Sequence, residues 1–225
     1  MARKRITDLP PLYRYDENGF IKQVKHDQFD YSIEYKDNQS TNEAMCFLRL
    51  GWLSSFFSYG QLKRMDMVDV GCGNGSFVKC CEGRFKSACG YDVVGDSISE
   101  EELYEKTWDL IVLSDVLEHF DDINDLFRIR WRHCMVSFPE TPEFELFEEL
   151  KSWRHFKPNE HLYCLHAIGV RDWIKQCGKG IDLLAWNTFE DLIRTRWDET
   201  KVNISTMLLR RNFINEESVR DHSLP

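Results

Sequence analysis

The stretch from Met67 to Phe77, MVDVGCGNGSF, constrains the fold more than any other part of the chain. A short β-favouring run meets three glycines at alternate positions, and a helix-compatible segment follows from about Asn74 to Gly83. Glycine lets the backbone turn sharply and approach a ligand with no Cβ in between. The helix start behind the loop offers free amides suited to a carboxylate or a phosphate. Strand, loop and helix in this order open a βαβ unit. The loop reads G-x-G-x-G and fits the dinucleotide fingerprint G-x-G-x-x-G poorly, which counts against a dehydrogenase.

The rest of the chain keeps alternating. FKSACGYDVV (85–94) predicts a second strand ending near Asp92, and DLIVLSD (109–115) a third, apolar on both faces as central parallel strands are. A helix is expected from Val116 to about Trp131, then the strand CMVSFP (134–139), stopped by Pro139. LHAIGVRDWIKQCG (165–178) reads as an amphipathic helix, and residues 181–211 as two β-runs forming an antiparallel pair. Upstream, STNE (40–43) matches a capping box of Ser40 and Glu43, opening a largely buried helix that runs to Gly60. The fold expected is α/β: a doubly wound, mostly parallel sheet with an antiparallel C-terminal strand, a shortened middle region and an N-terminal helical cap. Residues 1–60 would form the cap segment and helix, 61–213 the core domain and 214–225 a flexible tail. Ligands of such sheets sit at the carboxyl ends of the strands.

Composition narrows the partners. The net charge of −9 is the wrong sign for a protein that coats nucleic acid. RIRWRH (128–133) and RTRW (194–197) are the only local basic candidates, and both read better as solvated faces. No run of about 18 apolar residues would span a membrane. The basic start MARKR has no apolar segment behind it, so no signal peptide is expected and a cytoplasmic location is the default. Eight cysteines without a C-x-x-C pair argue for reduced core thiols rather than a disulfide frame or a zinc site.

Three elements gather around one crevice. The glycine loop comprises Gly71, Cys72, Gly73, Asn74 and Gly75; Asp92 closes the next strand, where an acid accepts both hydroxyls of a ribose. Asp69 lies inside the first strand, poorly solvated unless it accepts loop amides or an ammonium group. In this order VDVGCGNGSF, GYD and WDLIVLSDVLEHF, roughly residues 64–139, resemble the class I S-adenosylmethionine-dependent methyltransferases. The resemblance implies S-adenosyl-L-methionine as cofactor and S-adenosyl-L-homocysteine as product. It implies that the glycine loop lines the methionine part, that the acid matching Asp92 binds the ribose hydroxyls, and that the segment Ser114–Leu117, with Asp115 and Val116, lies beneath the sulfonium; Asp69 and Val93 are counted with the cofactor-binding residues. Only sixteen residues separate Asp92 from Asp109, where the family fits a helix, a strand and their turns. The helix is therefore expected as one turn within SISEEELYEK, the strand as vestigial, and Asp96 of GDS as an adenine contact.

Two further clusters bear on chemistry. With a helix starting at Val116, offsets of three and four would put Glu118 and His119 on the face of Asp115. These three could hold a divalent metal or supply a base; helix capping and cleft lining are the preferred readings, and no metal is assigned. The arrangement is similar to the E-x-x-E-H of ubiquinone-pathway O-methyltransferases and of enzymes that methylate the 2′-hydroxyl ends of small RNAs, with Asp115 in place of the first Glu. SWRHFKPNEHLYCLH (152–166) follows the strand CMVSFP and should overhang the methyl group; it resembles a substrate-pocket loop of small methyltransferases. An oxygen or nitrogen nucleophile must lose a proton, which points to His161, His119 and His155, in that order. Tyr31 and Tyr35 with the 41–58 helix would close the pocket. The expected partner is a small-molecule methyl acceptor; a nucleic-acid methyltransferase using the Asp115, Glu118, His119 metal site, and a cofactor-binding protein without catalysis, are the alternatives.

Overall fold

The computed structural model describes residues 5–27, 39–94, 98–177, 180–194 and 203–212, without the side chains of 39–42. The main sheet has six strands in the order β4-β3-β5-β6-β9-β8. They are β3 (Asp66–Val70), β4 (Ser87–Tyr91), β5 (Thr107–Ser114), β6 (Arg130–Pro139), β8 (Ile181–Asn187) and β9 (Ile204–Arg211). β3 pairs in parallel with β4 and β5, and β5 with β6; β9 runs antiparallel to both β6 and β8. This is the expected α/β architecture with its antiparallel C-terminal strand. Among the described residues no strand lies between β4 and β5, and α4 (Glu100–Glu105) is the single short helix there, as the spacing required.

The two-residue period of the strands sorts their side chains onto two cores. Val68, Val70, Ile111 and Leu113 face α6 (Ala167–Cys177), together with the buried Trp108, Trp131 and Trp173. Met67, Leu110 and Val112 face α1 (Gln39–Ser54) and α3 (Ser76–Cys81). The same alternation puts Asp69 and Ser114 on the α1 face, beyond the last apolar rung. The buried indoles are satisfied locally: Trp108 Nε1 donates to the Leu103 carbonyl at 3.1 Å and Trp131 Nε1 to that of Leu126 at 3.0 Å.

Three expectations are corrected. The helix from Val116 to Trp131 does not form; two 3-10 turns, Leu117–His119 and Ile123–Phe127, take its place, and β6 starts at Arg130. Asp115 has φ 56°, Phe120 is extended, and Asp122 accepts the Asn124 amide at 2.9 Å, so the chain is re-aimed twice before a helical turn can propagate. α1 ends at Ser54 rather than Gly60, which sits inside α2 (Tyr59–Leu62). The segment before α1 also contributes more than a helical cap. β1 (Tyr13–Tyr15) and β2 (Ile21–Gln23) form a hairpin whose turn is held by Asp16, accepting the Asn18 and Phe20 amides. β2 pairs with β7 (Tyr163–Cys164), making a three-stranded antiparallel sheet over its own apolar cluster with α5 (Phe147–Lys151). Ser40, Tyr31, Tyr35, Asp96 and the 214–225 tail lie outside the described residues or side chains. All eight cysteines are free thiols, and among the described residues no helix is long and apolar enough to cross a membrane.

Candidate active site

The carboxyl ends of β3, β4, β5 and β6 open on a cavity of about 1130 Å³. Its near wall is the glycine loop. Gly71, Gly73 and Gly75 all have positive φ (73°, 52° and 71°), which glycine adopts without strain. A Cβ on Gly71 would stand 2.3 Å from Val116 Cγ2, so this glycine lets β3 and the end of β5 approach each other. A Cβ on Gly73 would meet nothing within 4 Å; it would project into open space at the cavity wall. Asp92 Oδ2 accepts the Gly73 amide at 2.8 Å and Oδ1 the Val94 amide at 3.1 Å. It is therefore Asp92, not Asp69, that buttresses the loop. Asp92 also lines the cavity, where a carboxylate can accept from a ligand's hydroxyls. Exposed Val93 stands on the rim.

Behind the loop lies a smaller chamber of about 250 Å³, lined by Arg49, Asp69, Cys72, Asn74, Ser114 and Asp115 among others. Asp69 is 5% exposed, and among the described residues no hydrogen bond reaches its carboxylate. Burial pushes its pKa up to about 7, against the pull of Arg49. Ser114 Oγ and Asp115 Oδ1 are buried with no hydrogen-bond partner among the described residues. Asn74 Oδ1 accepts the amide and hydroxyl of Ser76 and so starts α3. Acceptors without a partner among the described residues, an arginine and the backbone of Gly71 are a donor and acceptor set that fits an amino acid's ammonium and carboxylate.

Sequence reasoning missed what braces this chamber. Arg49 binds Glu190 with two hydrogen bonds, 2.8 and 3.0 Å, and Glu190, fully buried, also accepts from Ser137 at 2.9 Å. Arg194, just after it in α7 (Asp191–Arg194), reaches Asp115 Oδ2 and, at 3.2 Å, Glu190 Oε2. The signal for Arg49 was a lone cation inside the apolar run AMCFLRLGWL. Arg194 belongs to RTRW, which the sequence presents as a solvated basic face, yet it holds a half-buried ion pair.

The far side of the cavity carries all three expected imidazoles, His119, His155 and His161, with Lys157 and Glu160. Since the 116–131 helix is absent, Asp115 and the Glu118–His119 pair do not share a helical face, and Asp115 is taken up by Arg194. His161 stands in its place. Its ring packs edge-on against His119 with centroids 4.8 Å apart, and one ligand atom from each of Glu118, His119 and His161 falls within 4.8 Å of the others. Glu118 is 1% exposed, with no hydrogen bond to either carboxylate oxygen among the described residues and His119 Nε2 4.0 Å from Oε1; burial, helped by Asp115, raises its pKa well above the usual carboxylate range. Burial and the neighbouring His119 and Lys157 push His161 down to about 3; burial lowers His119 and His155 as well. The three rings are thus held neutral. His155 Nε2 is already engaged, 2.8 Å from Asn203 Oδ1 and 3.0 Å from Arg154 Nε.

A parallel sheet with a reversed last strand, a glycine loop after its first core strand and an acid ending the next define the class I S-adenosylmethionine-dependent methyltransferases. The family model described as methyltransferase domain matches residues 46–179, and the chain belongs to that family. Solved structures that share the fold include the following two. The magnesium protoporphyrin IX methyltransferase of Synechocystis with bound S-adenosylhomocysteine is 15% identical, with TM-score 0.51 over 84% of this chain and 90% of that one. An S-adenosylmethionine-dependent methyltransferase of Clostridium acetobutylicum is 10% identical, with TM-score 0.52 over 79% of this chain and 94% of that one. No match was found among the curated proteins.

Proposed function

We propose that the protein transfers a methyl group from S-adenosylmethionine to a nucleophilic oxygen, nitrogen or carbon of a small molecule. The observation that carries the reading is the continuity of the cleft. One cavity of about 1130 Å³ runs from Asp92 and the glycine loop to the imidazole wall, where the sheet of β1, β2 and β7 contributes a neighbouring layer. A ligand site commonly measures about 300–1000 Å³, so this volume suits a nucleoside together with a compact acceptor.

The cofactor supplies an activated methyl on a sulfonium; the chain's residues do the rest. In this reading Asp69 and Asp115 take the ammonium, Arg49 the carboxylate, and Asp92 the ribose hydroxyls. Gly71, Gly73 and Gly75, with Cys72 and Asn74, let the backbone lie against the methionine part, while Ser114 and Val116 floor it. Val93 lies along the nucleoside. His161 and His119, neutral at physiological pH, accept the hydrogen bond of an O–H or N–H acceptor and orient it in line with the methyl carbon. His155, tied to Asn203, shapes the wall. In a complex with S-adenosylhomocysteine the thioether sulfur should open toward His119 and His161. A sulfur turned away from both would remove them from orienting the acceptor. Screening small hydroxy, amino and carbon acids for a mass gain of one methylene would then name the acceptor.

A second reading has one observation behind it, the buried carboxylate of Glu118, without a hydrogen bond among the described residues, beside two imidazoles. Glu118, His119 and His161 would there hold a divalent cation that orients a hydroxyl acceptor, as a nucleic-acid end would require. Turnover abolished by chelation and restored by Mg²⁺ or Mn²⁺ would favour this reading; turnover indifferent to chelation would favour the first.

A further inference from the structure

The large cavity and the small chamber share three lining residues, Gly71, Asp115 and Arg194. Arg194 differs from the other two in touching both sides at once. Its guanidinium sits on Asp115 Oδ2 and Glu190 Oε2, and Glu190 in turn holds Arg49 of the small chamber. Its main-chain carbonyl accepts from Arg154 Nη2 at 3.1 Å. Arg154 Nε reaches Asn203 Oδ1 at 3.1 Å, the same oxygen that lies beside His155 Nε2. Asp191, at the start of Arg194's own helix, accepts the amides of Asn203 and Ile204 at 3.1 and 2.9 Å. One unbroken set of charged and hydrogen-bonded groups therefore runs from the small chamber to the loop that carries His155.

We propose that Arg194 is a positioning residue through which an amino-acid group bound in the small chamber sets the 152–161 loop of the acceptor wall. The inference rests on the reading of that chamber as the seat of the cofactor's methionine end. An ammonium entering beside Asp69 and Asp115 competes with the Arg194 guanidinium for one carboxylate, whose Oδ1 has no partner among the described residues. A ligand shifts a conformational equilibrium only by interacting unequally with its states, and this competition is such a difference. When the ammonium draws on Asp115, the guanidinium shifts from Asp115 toward Glu190, and the carbonyl that Arg154 grips moves with the same residue. The loop then takes up its acceptor-binding form after the cofactor site is filled, which makes cofactor binding the first step of an ordered sequence.

Hydrogen–deuterium exchange of the intact protein, with and without saturating S-adenosylhomocysteine, tests the coupling. In the wild type the ligand should slow exchange across 152–161 by at least about threefold. Arg194→Met should lose that response at saturating ligand. Arg154→Met removes the grip on the Arg194 carbonyl without touching the small chamber and leaves the Asp191–Asn203–His155 contacts in place; it should at least halve the response, with S-adenosylhomocysteine affinity within about twofold of wild type. An equal loop response in wild type and Arg154→Met would overturn the coupling while leaving the cofactor reading intact. A wild type that takes up no S-adenosylhomocysteine would overturn both.

Discussion

Asp69 carries the clearest pH signature of any single residue. Its neutral form prevails below about pH 7 and its charged form above. An ammonium prefers the charged form, so S-adenosylhomocysteine affinity should rise with pH up to the pKa, by as much as about tenfold per unit, and then level off. Calorimetric titrations across that range check it, and Asp69→Asn should flatten the profile; an unchanged slope in the variant would place the titrating group elsewhere. The glycines separate structure from binding in the same way. Gly71→Ala drives a Cβ into Val116 at positive φ and should cost at least about 2 kcal/mol of stability by denaturant unfolding. Gly73→Ala clashes with nothing and should cost about 1 kcal/mol, yet weaken S-adenosylhomocysteine more than tenfold because its Cβ faces the cavity. Asp69 and Asp92 were legible from the sequence because strand period and strand ends fix where such residues point. Arg49 and Glu190 were not legible as partners, since 141 positions separate them and only the tertiary fold joins them.

At the scale of elements, the strands of the main sheet were readable, whereas the segment after β5 and the small N-terminal sheet were not. β5 is apolar on both faces and announces itself, the glycine loop marks the end of β3, and the short α4 follows from spacing. The segment after it misled because VLEHF and DLF have helix-compatible composition, while Asp115 at positive φ and the Asp122 cap break the run into two turns. The hairpin of β1 and β2 was missed because three-residue strands carry too little alternation to see. What joins α1 to α7 is the buried Arg49–Glu190 pair. Removing one partner strands the other charge, so Glu190→Ala should lower stability by about 3–5 kcal/mol, read from denaturant midpoints. Glu190→Gln, which keeps hydrogen-bonding capacity, should lose less. Equal stability of Glu190→Ala and wild type would mean that the pair does not brace these elements.

For the whole molecule, the alternation of strands and helices specified the class of fold, and the family match is in keeping with it. The acceptor was not legible in the same way, because the imidazole wall is assembled from two distant segments, 116–120 and 155–161, whose meeting no local pattern records. The net charge of −9 argues against a polyanionic acceptor. Turnover of a small acceptor should therefore change by less than about twofold between roughly 50 and 200 mM salt, where a nucleic-acid substrate would lose orders of magnitude in affinity. The most direct measurement is titration calorimetry of the intact protein with S-adenosylhomocysteine, with NAD as control and Asp92→Ala beside it. The account predicts one-to-one binding of S-adenosylhomocysteine, no heat with NAD, and at least about tenfold weaker binding in the variant. No binding of S-adenosylhomocysteine, or binding indifferent to Asp92, would contradict it.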